Sequence, residues 1–221
     1  MNQDEILFWR VFALMHCLPE LTPAQVVDWL GMEQEGALDV DQIARLPQAW
    51  LEARFPADRA RLTAMRWRQI MACLRGELPA HLTLQPRQLT PATLLVAFAS
   101  QDGVTINGHF GQSRLFFIYA LDDSGAGLYD LRRWAGDTPG LESNETRVRL
   151  LEGCHLLFCE SIGGPAAARV IRCNVHPVKA KPGTLITTQL QALQTMLTQQ
   201  LPPWLARRLG KHNPLTQRVF S

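Results

Sequence analysis

Apolar positions follow two regimes along the chain. Up to about residue 76 they recur at helical spacing. Asp4 to Leu18 carries Leu7, Val11, Leu14 and Leu18 on one predicted face, and Pro19 ends that helix. Thr22-Pro23-Ala24-Gln25 spells a capping box with proline at the first helical position, and Gly31 supplies the stop. Further helices are predicted over 39–46, 47–54 and 57–75, the last ending at Gly76 with Trp67, Ile70, Met71 and Leu74 turned inward. Arg54, Arg59, Arg61, Arg66 and Arg68 make this final helix basic, which reads either as a solvated helix face or as a docking surface for an acidic partner protein or, less readily, RNA. Residues 77–91 contain Pro79, Pro86 and Pro91 and no sustained period, so they read as a semi-rigid linker with a domain boundary near residue 85.

Beyond the linker the period shortens. Runs at 93–99, 114–122 and 128–134 read as three strands, with the turn Asp122 to Gly127 joining the second to the third, and they suit an antiparallel meander. Asp137-Thr138-Pro139-Gly140 is a turn signal, and Ser143 or Asn144 is placed to cap a helix running to Glu152 with Val148 and Leu151 inward. Cys154 to Cys159 is a continuous apolar run between glycine signals, as expected of a strand buried on both faces. A helix over 163–174, a strand over 176–180 and a helix over 184–201 complete the pattern. The expectation is an α+β two-domain chain. An all-α domain over 1–76 and the linker 77–91 come first, then an α/β domain over 92–205 with a mixed five-stranded sheet, then a basic tail over 206–221.

Composition narrows the class. With 221 residues and 47% hydrophobic content the chain can bury a globular core. No apolar run is free enough of polar residues to suit a bilayer, and no basic n-region precedes an apolar one, so a soluble cytoplasmic protein is expected. Five cysteines without a C-x-x-C pair point to reduced thiols rather than a disulfide framework. A net charge of +2 does not mark a nucleic-acid binder.

The candidate chemistry lies between the first two strands of the second domain. About 15 residues separate them, long for a loop without secondary structure in a compact domain, and such loops tend to be functional. Within it Gly108-His109-Phe110-Gly111 would present one imidazole on an uncrowded turn, although Asn107-Gly108 is equally an ordinary turn signal. A second candidate is Cys159-Glu160-Ser161-Ile162-Gly163-Gly164-Pro165, a strand-to-helix turn whose amides could attract an anion. The alternative there is that Gly163 and Gly164 merely let the helix pack tightly on the sheet. If the strands ending at Ala99 and Cys159 are parallel neighbours, both turns share one edge. Cys154 and Cys159 read as core residues and His176 as structural, while His16, His81 and His212 read as structural or solvated. No Ser-His-Asp, two-carboxylate or phosphate-loop pattern is legible.

The segment DGVTINGHFGQSRLFFIYALD, followed by Glu160-Ser161-Ile162-Gly163-Gly164-Pro165-Ala166-Ala167, resembles the dinitrogenase iron-molybdenum-cofactor-binding family, which includes X-type and Y-type nitrogenase accessory factors. The resemblance covers 92–205, and the helical domain in front makes the Y type the nearer match. It implies a ribonuclease-H-like topology, a helical domain similar to a sterile-alpha-motif bundle, and no enzymatic activity. It also implies reversible binding of the iron-molybdenum cofactor, an anionic cluster carrying homocitrate, for insertion into apo-dinitrogenase alongside other cofactor-assembly proteins. His109 is then the metal-binding residue, with Gly108, Phe110, Gly111, Ser161, Gly163 and Gly164 around the cargo, and the helical domain with Arg207, Arg208 and Lys211 engages apo-dinitrogenase. Two rival readings stand beside it: an interaction-only chaperone of apo-dinitrogenase, and a hydrolase or nuclease on the same scaffold.

Overall fold

The computed structural model describes residues 3–31, 39–136, 140, 142–199 and 201–210. The turn signal at Asp137-Thr138-Pro139 and the roles expected of Lys211 and His212 therefore lie outside the described residues. The chain divides between Thr83 and Leu84 into two compact units.

The first unit is helical: α1 (Gln3–Cys17), α2 (Pro23–Trp29), α3 (Val40–Ala44), α4 (Gln48–Ala53) and α5 (Ala64–Arg75). Thr22 closes the expected capping box on α2, and Asp39 closes another on α3 with Gln42. Gly76 ends α5 in the left-handed conformation at φ +90, which glycine adopts without steric cost. Two expectations shift. The buried face of α1 is Trp9, Phe12, Ala13 and Leu14, with Leu7 and Val11 only half-buried, because the aromatic side chains offer more area to bury than the aliphatic stripe. The last helix starts at Ala64, since the Thr63 hydroxyl accepts from Arg66 N–H, and Arg59–Arg61 forms a separate 3₁₀ turn. The arginines thus do not share one helix face. Arg66 turns back to donate to the Cys17 carbonyl at 2.7 Å and to pair with Glu20.

The second unit holds a five-stranded mixed sheet in the order β3-β2-β1-β4-β5, formed by β1 (Leu94–Ala99), β2 (Leu115–Asp122), β3 (Gly125–Arg133), β4 (Leu156–Cys159) and β5 (His176–Lys179). The first three make the expected antiparallel meander, and β1–β4 and β4–β5 pair in parallel. Asp122 pairs with Gly125, so only Asp123 and Ser124 turn the hairpin. All of β1 and β4 is buried, because central strands have neighbours on both edges and cover on both faces. One face carries Leu95, Ala97, Ala99, Phe116, Ile118, Leu157 and Cys159. It packs against Val148 of α6 (Ser143–Arg149) and Ala166 and Val170 of α7 (Gly164–Arg172). On the other face Phe98 stacks on Phe158 and meets Tyr119 edge-on. The helix α8 (Ile186–Gln199) lies against β2 and β3 and buries Ile186, Leu190, Leu193 and Leu197. Neither Ser143 nor Asn144 caps α6, which begins at Ser143 after Glu142. Arg207 and Arg208 fall on a further helix, α9 (Pro203–Arg208), held by buried Leu205 and Ala206. Among the described residues no helix is long and apolar enough to cross a membrane.

His155 shows how the sheet enforces a protonation state. Its Nδ1 accepts the Leu95 N–H at 3.0 Å, its N–H donates to the Leu95 carbonyl, and its carbonyl accepts from His176. Burial, then the Arg208 charge, holds its pKa below the ordinary 6.5. Below 6.5 the unfolded chain binds this proton more readily than the folded one, so stability falls as pH drops from about 6.5 towards the lowered folded value. The expected outcome in denaturant titrations is a midpoint that declines over that window, with a shallower decline in His155→Asn, whose amide oxygen can accept the same N–H.

Candidate functional site

Because β1 and β4 run parallel side by side, the loop after Ala99 and the turn after Cys159 leave the same sheet edge, as anticipated. Backbone hydrogen bonds then join them. Gly108 N–H donates to the Ala99 carbonyl at 3.0 Å, Glu160 N–H to the Gly108 carbonyl at 2.9 Å, and Phe110 N–H to the Ser161 carbonyl at 2.9 Å. His109 and Ser161 are thereby paired as a short parallel bridge continuing the β1–β4 ladder.

The loop is held in shape by Asp102, which the sequence reading passed over. Its Oδ1 accepts from the Ser100 hydroxyl at 3.0 Å and from the Val104 and Thr105 N–H groups at 2.8 Å, and its Oδ2 from the Thr105 hydroxyl at 2.6 Å. Burial works against the carboxylate, but these bonds together hold its pKa below the usual range. The signal in the sequence was Asp102-Gly103, an Asx-type turn with Gly103 at φ +71. At the crown, the His109 carbonyl accepts from Gln112 N–H and Ser113 N–H, both at 2.8 Å, and from the Ser113 hydroxyl. Arg147, 4% exposed, donates to the Ser113 carbonyl at 3.1 Å and lies over the Trp134 ring, so α6 braces the turn from behind.

The candidate residues separate into two groups. His109, Gly111, Ser161, Gly163 and Gly164 are exposed, and His109 and Ser161 are bridged at the edge. Phe110 and Gly108, expected around the cargo, are buried. Phe110 is wholly enclosed and packs on Phe116, anchoring the turn instead of presenting a surface. Gly108 is small because a Cβ there would stand 2.8 Å from the Ala99 backbone and 2.5 Å from Ser113 Oγ. The opposite holds at the helix start, where a Cβ on Gly163 or Gly164 would meet nothing within 4 Å. Tight helix-to-sheet packing therefore does not explain those glycines. They leave the first turn of α7 open, and no side chain caps it.

The His109 ring projects from this open edge with 47% of its side chain exposed. Its Nδ1 lies 2.7 Å from Ser161 Oγ, and its Nε2 is 4.0 Å from Glu160 Oε1. A hydroxyl serves as donor or acceptor, so both neutral tautomers satisfy the first contact. When Nδ1–H donates to Ser161, Nε2 carries an available lone pair. Ser161 and His109 were not expected to meet as a nucleophile and base. The Ser161 hydroxyl does contact the His109 ring, but the Glu160 carboxylate, 4.0 Å from the other nitrogen, is too far to form the hydrogen bond that orients a triad. Cys154 and Cys159 are core residues as expected, their thiols pushed up to about 11 by burial, and the His176 ring lies on Trp204. Among the described residues no cluster of three or more His, Cys, Asp or Glu side chains is placed to hold a metal ion.

Comparison with known proteins places this architecture. Residues 92–196 match the family model described as dinitrogenase iron-molybdenum cofactor. The chain belongs to that family, within its NifY- and NifX-like accessory factors. Protein NifY of Klebsiella pneumoniae is 54% identical over 210 residues, spanning 95% of this chain and 91% of that protein. Protein NifX of Sinorhizobium fredii is 34% identical over 146 residues, covering 62% of this chain and 90% of its own length. FeMo cofactor biosynthesis protein NifB of Bradyrhizobium diazoefficiens shares 34% identity over 95 residues, 41% of this chain and 19% of that protein.

The contrast between the glycines is measurable. Gly108→Ala is expected to lower unfolding free energy by about 2 kcal/mol or more through overpacking against backbone. Gly164→Ala, with open space at its Cβ, is expected to stay within about 0.5 kcal/mol in the same denaturant titration.

Proposed function

We propose that the protein binds the iron-molybdenum cofactor, or a precursor of it, reversibly and assists its insertion into apo-dinitrogenase, with His109 as the protein ligand to a cluster metal. Family membership makes it a nitrogenase cofactor accessory factor; the observation that supports the finer reading is the exposed His109 ring beside the uncapped glycine start of α7. The two features answer two needs of an anionic metal cluster. An imidazole nitrogen is a suitable ligand for an iron-containing centre, and a hydroxyl on the opposite nitrogen fixes the ring and its tautomer. The amides of Gly164 and Ala166, at the positive end of a helix, attract carboxylate or sulfide charge. One imidazole backed by amides also releases cargo more readily than a closed cage of thiolates, which is what transfer to another protein requires.

The sheet's antiparallel meander with parallel strands after it supports a ribonuclease-H-like cofactor domain over 92–205. The helices of 1–76 support a sterile-alpha-motif-like interaction domain that engages apo-dinitrogenase, joined by the linker 77–91, with Arg207 and Arg208 ahead of the basic tail as further contacts. The protein acts in the cytoplasm with other cofactor-assembly proteins as a carrier, not as an enzyme. One relative's name, FeMo cofactor biosynthesis protein, supports a role in cofactor assembly.

Anaerobic mixing with isolated cofactor followed by gel filtration tests the assignment. Wild type is expected to co-elute with the cluster, His109→Ala to retain at least tenfold less, and Ser161→Ala to lose about tenfold through a freed ring. Equal retention by wild type and His109→Ala removes the imidazole from cargo binding. Glu160→Gln is expected to strengthen retention several-fold, because the carboxylate 4.0 Å from Nε2 repels an anionic cargo.

A further inference from the structure

The helical unit contains a cavity of about 450 Å³ that no part of the cargo reading uses, lined in part by His16, Cys17, Gln69, Cys73 and His81. Cys17 is the last residue of α1 and Cys73 lies in α5, 56 positions away, yet their sulfurs stand 3.8 Å apart in hydrogen-bond contact. The two are unequal. Cys73 is 2% exposed, whereas Cys17 is half-buried at the cavity wall. The hydrogen bond from Cys73 is the largest influence on Cys17; burial opposes it, the His16 and Arg66 charges reinforce it, and the thiol comes down from 9.0 to about 7. Cys73 is pushed up, first by the same hydrogen bond and then by burial, with Glu77 adding to the rise. An accessible sulfur that ionises first, beside an enclosed sulfur that keeps its proton, is the division of labour of a reactive dithiol.

We propose that Cys17 and Cys73 form a thiol–disulfide exchange site for small disulfides of the glutathione class, Cys17 attacking and Cys73 resolving. The Cys17 thiolate attacks one sulfur of the small disulfide, forming a mixed disulfide and expelling one small thiolate into the cavity. Cys73 then gives up its proton, attacks the Cys17 sulfur and expels the second small thiolate. The protein dithiol loses two electrons and two protons, and the small disulfide gains both and leaves as two thiols. The product bond ties the end of α1 to α5 and closes a loop of more than fifty residues, which constrains the unfolded chain. Cys154 and Cys159, buried with raised thiols, and exposed Cys173 serve as internal references.

The test uses the reduced full-length chain, anaerobic, in glutathione and glutathione disulfide buffers, with acid quenching, alkylation and peptide mass spectrometry. The expected result is one intramolecular disulfide joining the Cys17 and Cys73 peptides, reversed by excess reduced glutathione. At neutral pH iodoacetamide is expected to modify Cys17, whose thiol pKa is lowered, about tenfold faster than Cys173. Cys73→Ala should stop the exchange at a glutathione adduct on Cys17. Modification of Cys17 no faster than Cys173, or oxidation that spares the Cys17–Cys73 pair while glutathione attaches elsewhere, overturns the proposal.

Discussion

A three-bond backbone ladder at the carboxyl edge of β1 and β4 is what the candidate site depends on. Gly108 to Ala99, Glu160 to Gly108 and Phe110 to Ser161 carry the parallel pairing of the two strands past their ends, so that two loops distant in sequence leave the sheet already joined. Each bond contributes on the order of 1 kcal/mol, but their joint effect is geometric. They set the His109 and Ser161 side chains next to each other, and the 2.7 Å contact between them follows. Asp102 within the loop and Arg147 behind it hold the remaining freedom of the crown. An exposed ring can thus be kept in one place without being buried.

The ladder also separates the residues of the glycine-rich turn by task. Phe110 turns into the core and Gly108 lies against the Ala99 backbone, so both serve the shape of the turn. His109, between them, points the other way. The glycines at the start of α7 differ in kind: a Cβ on either would meet nothing within 4 Å, and no side chain caps the turn.

Much of this could be read from the residues alone. The short apolar run ending at Cys159, the meander before it and the capping box at Thr22 each rest on local pattern, and local pattern is what a sequence displays. The shared edge of the two turns could be anticipated once β1 and β4 were taken as parallel neighbours. What escaped depended on packing. The rotation of α1 towards Trp9 and Phe12 is decided by which side chains bury most area, and the late start of α5 by whether Thr63 captures an amide. The role of Asp102 is a network of short-range bonds that no periodicity announces, and the burial of Phe110 follows from a register set by Ser161, 51 positions later. The meeting of Cys17 and Cys73 is a tertiary contact of the same sort, invisible to a reading that looked for C-x-x-C.

In the proposed role, the Nε2 lone pair of His109 bonds a metal of the cargo. Pulsed electron paramagnetic resonance on the anaerobic complex with isolated cofactor, using protein labelled with ¹⁵N in its histidine rings, reads that bond directly. The account predicts a ¹⁵N hyperfine coupling to the cluster spin that disappears in His109→Ala. A complex that retains the cluster yet gives no histidine nitrogen coupling in the wild type would contradict it.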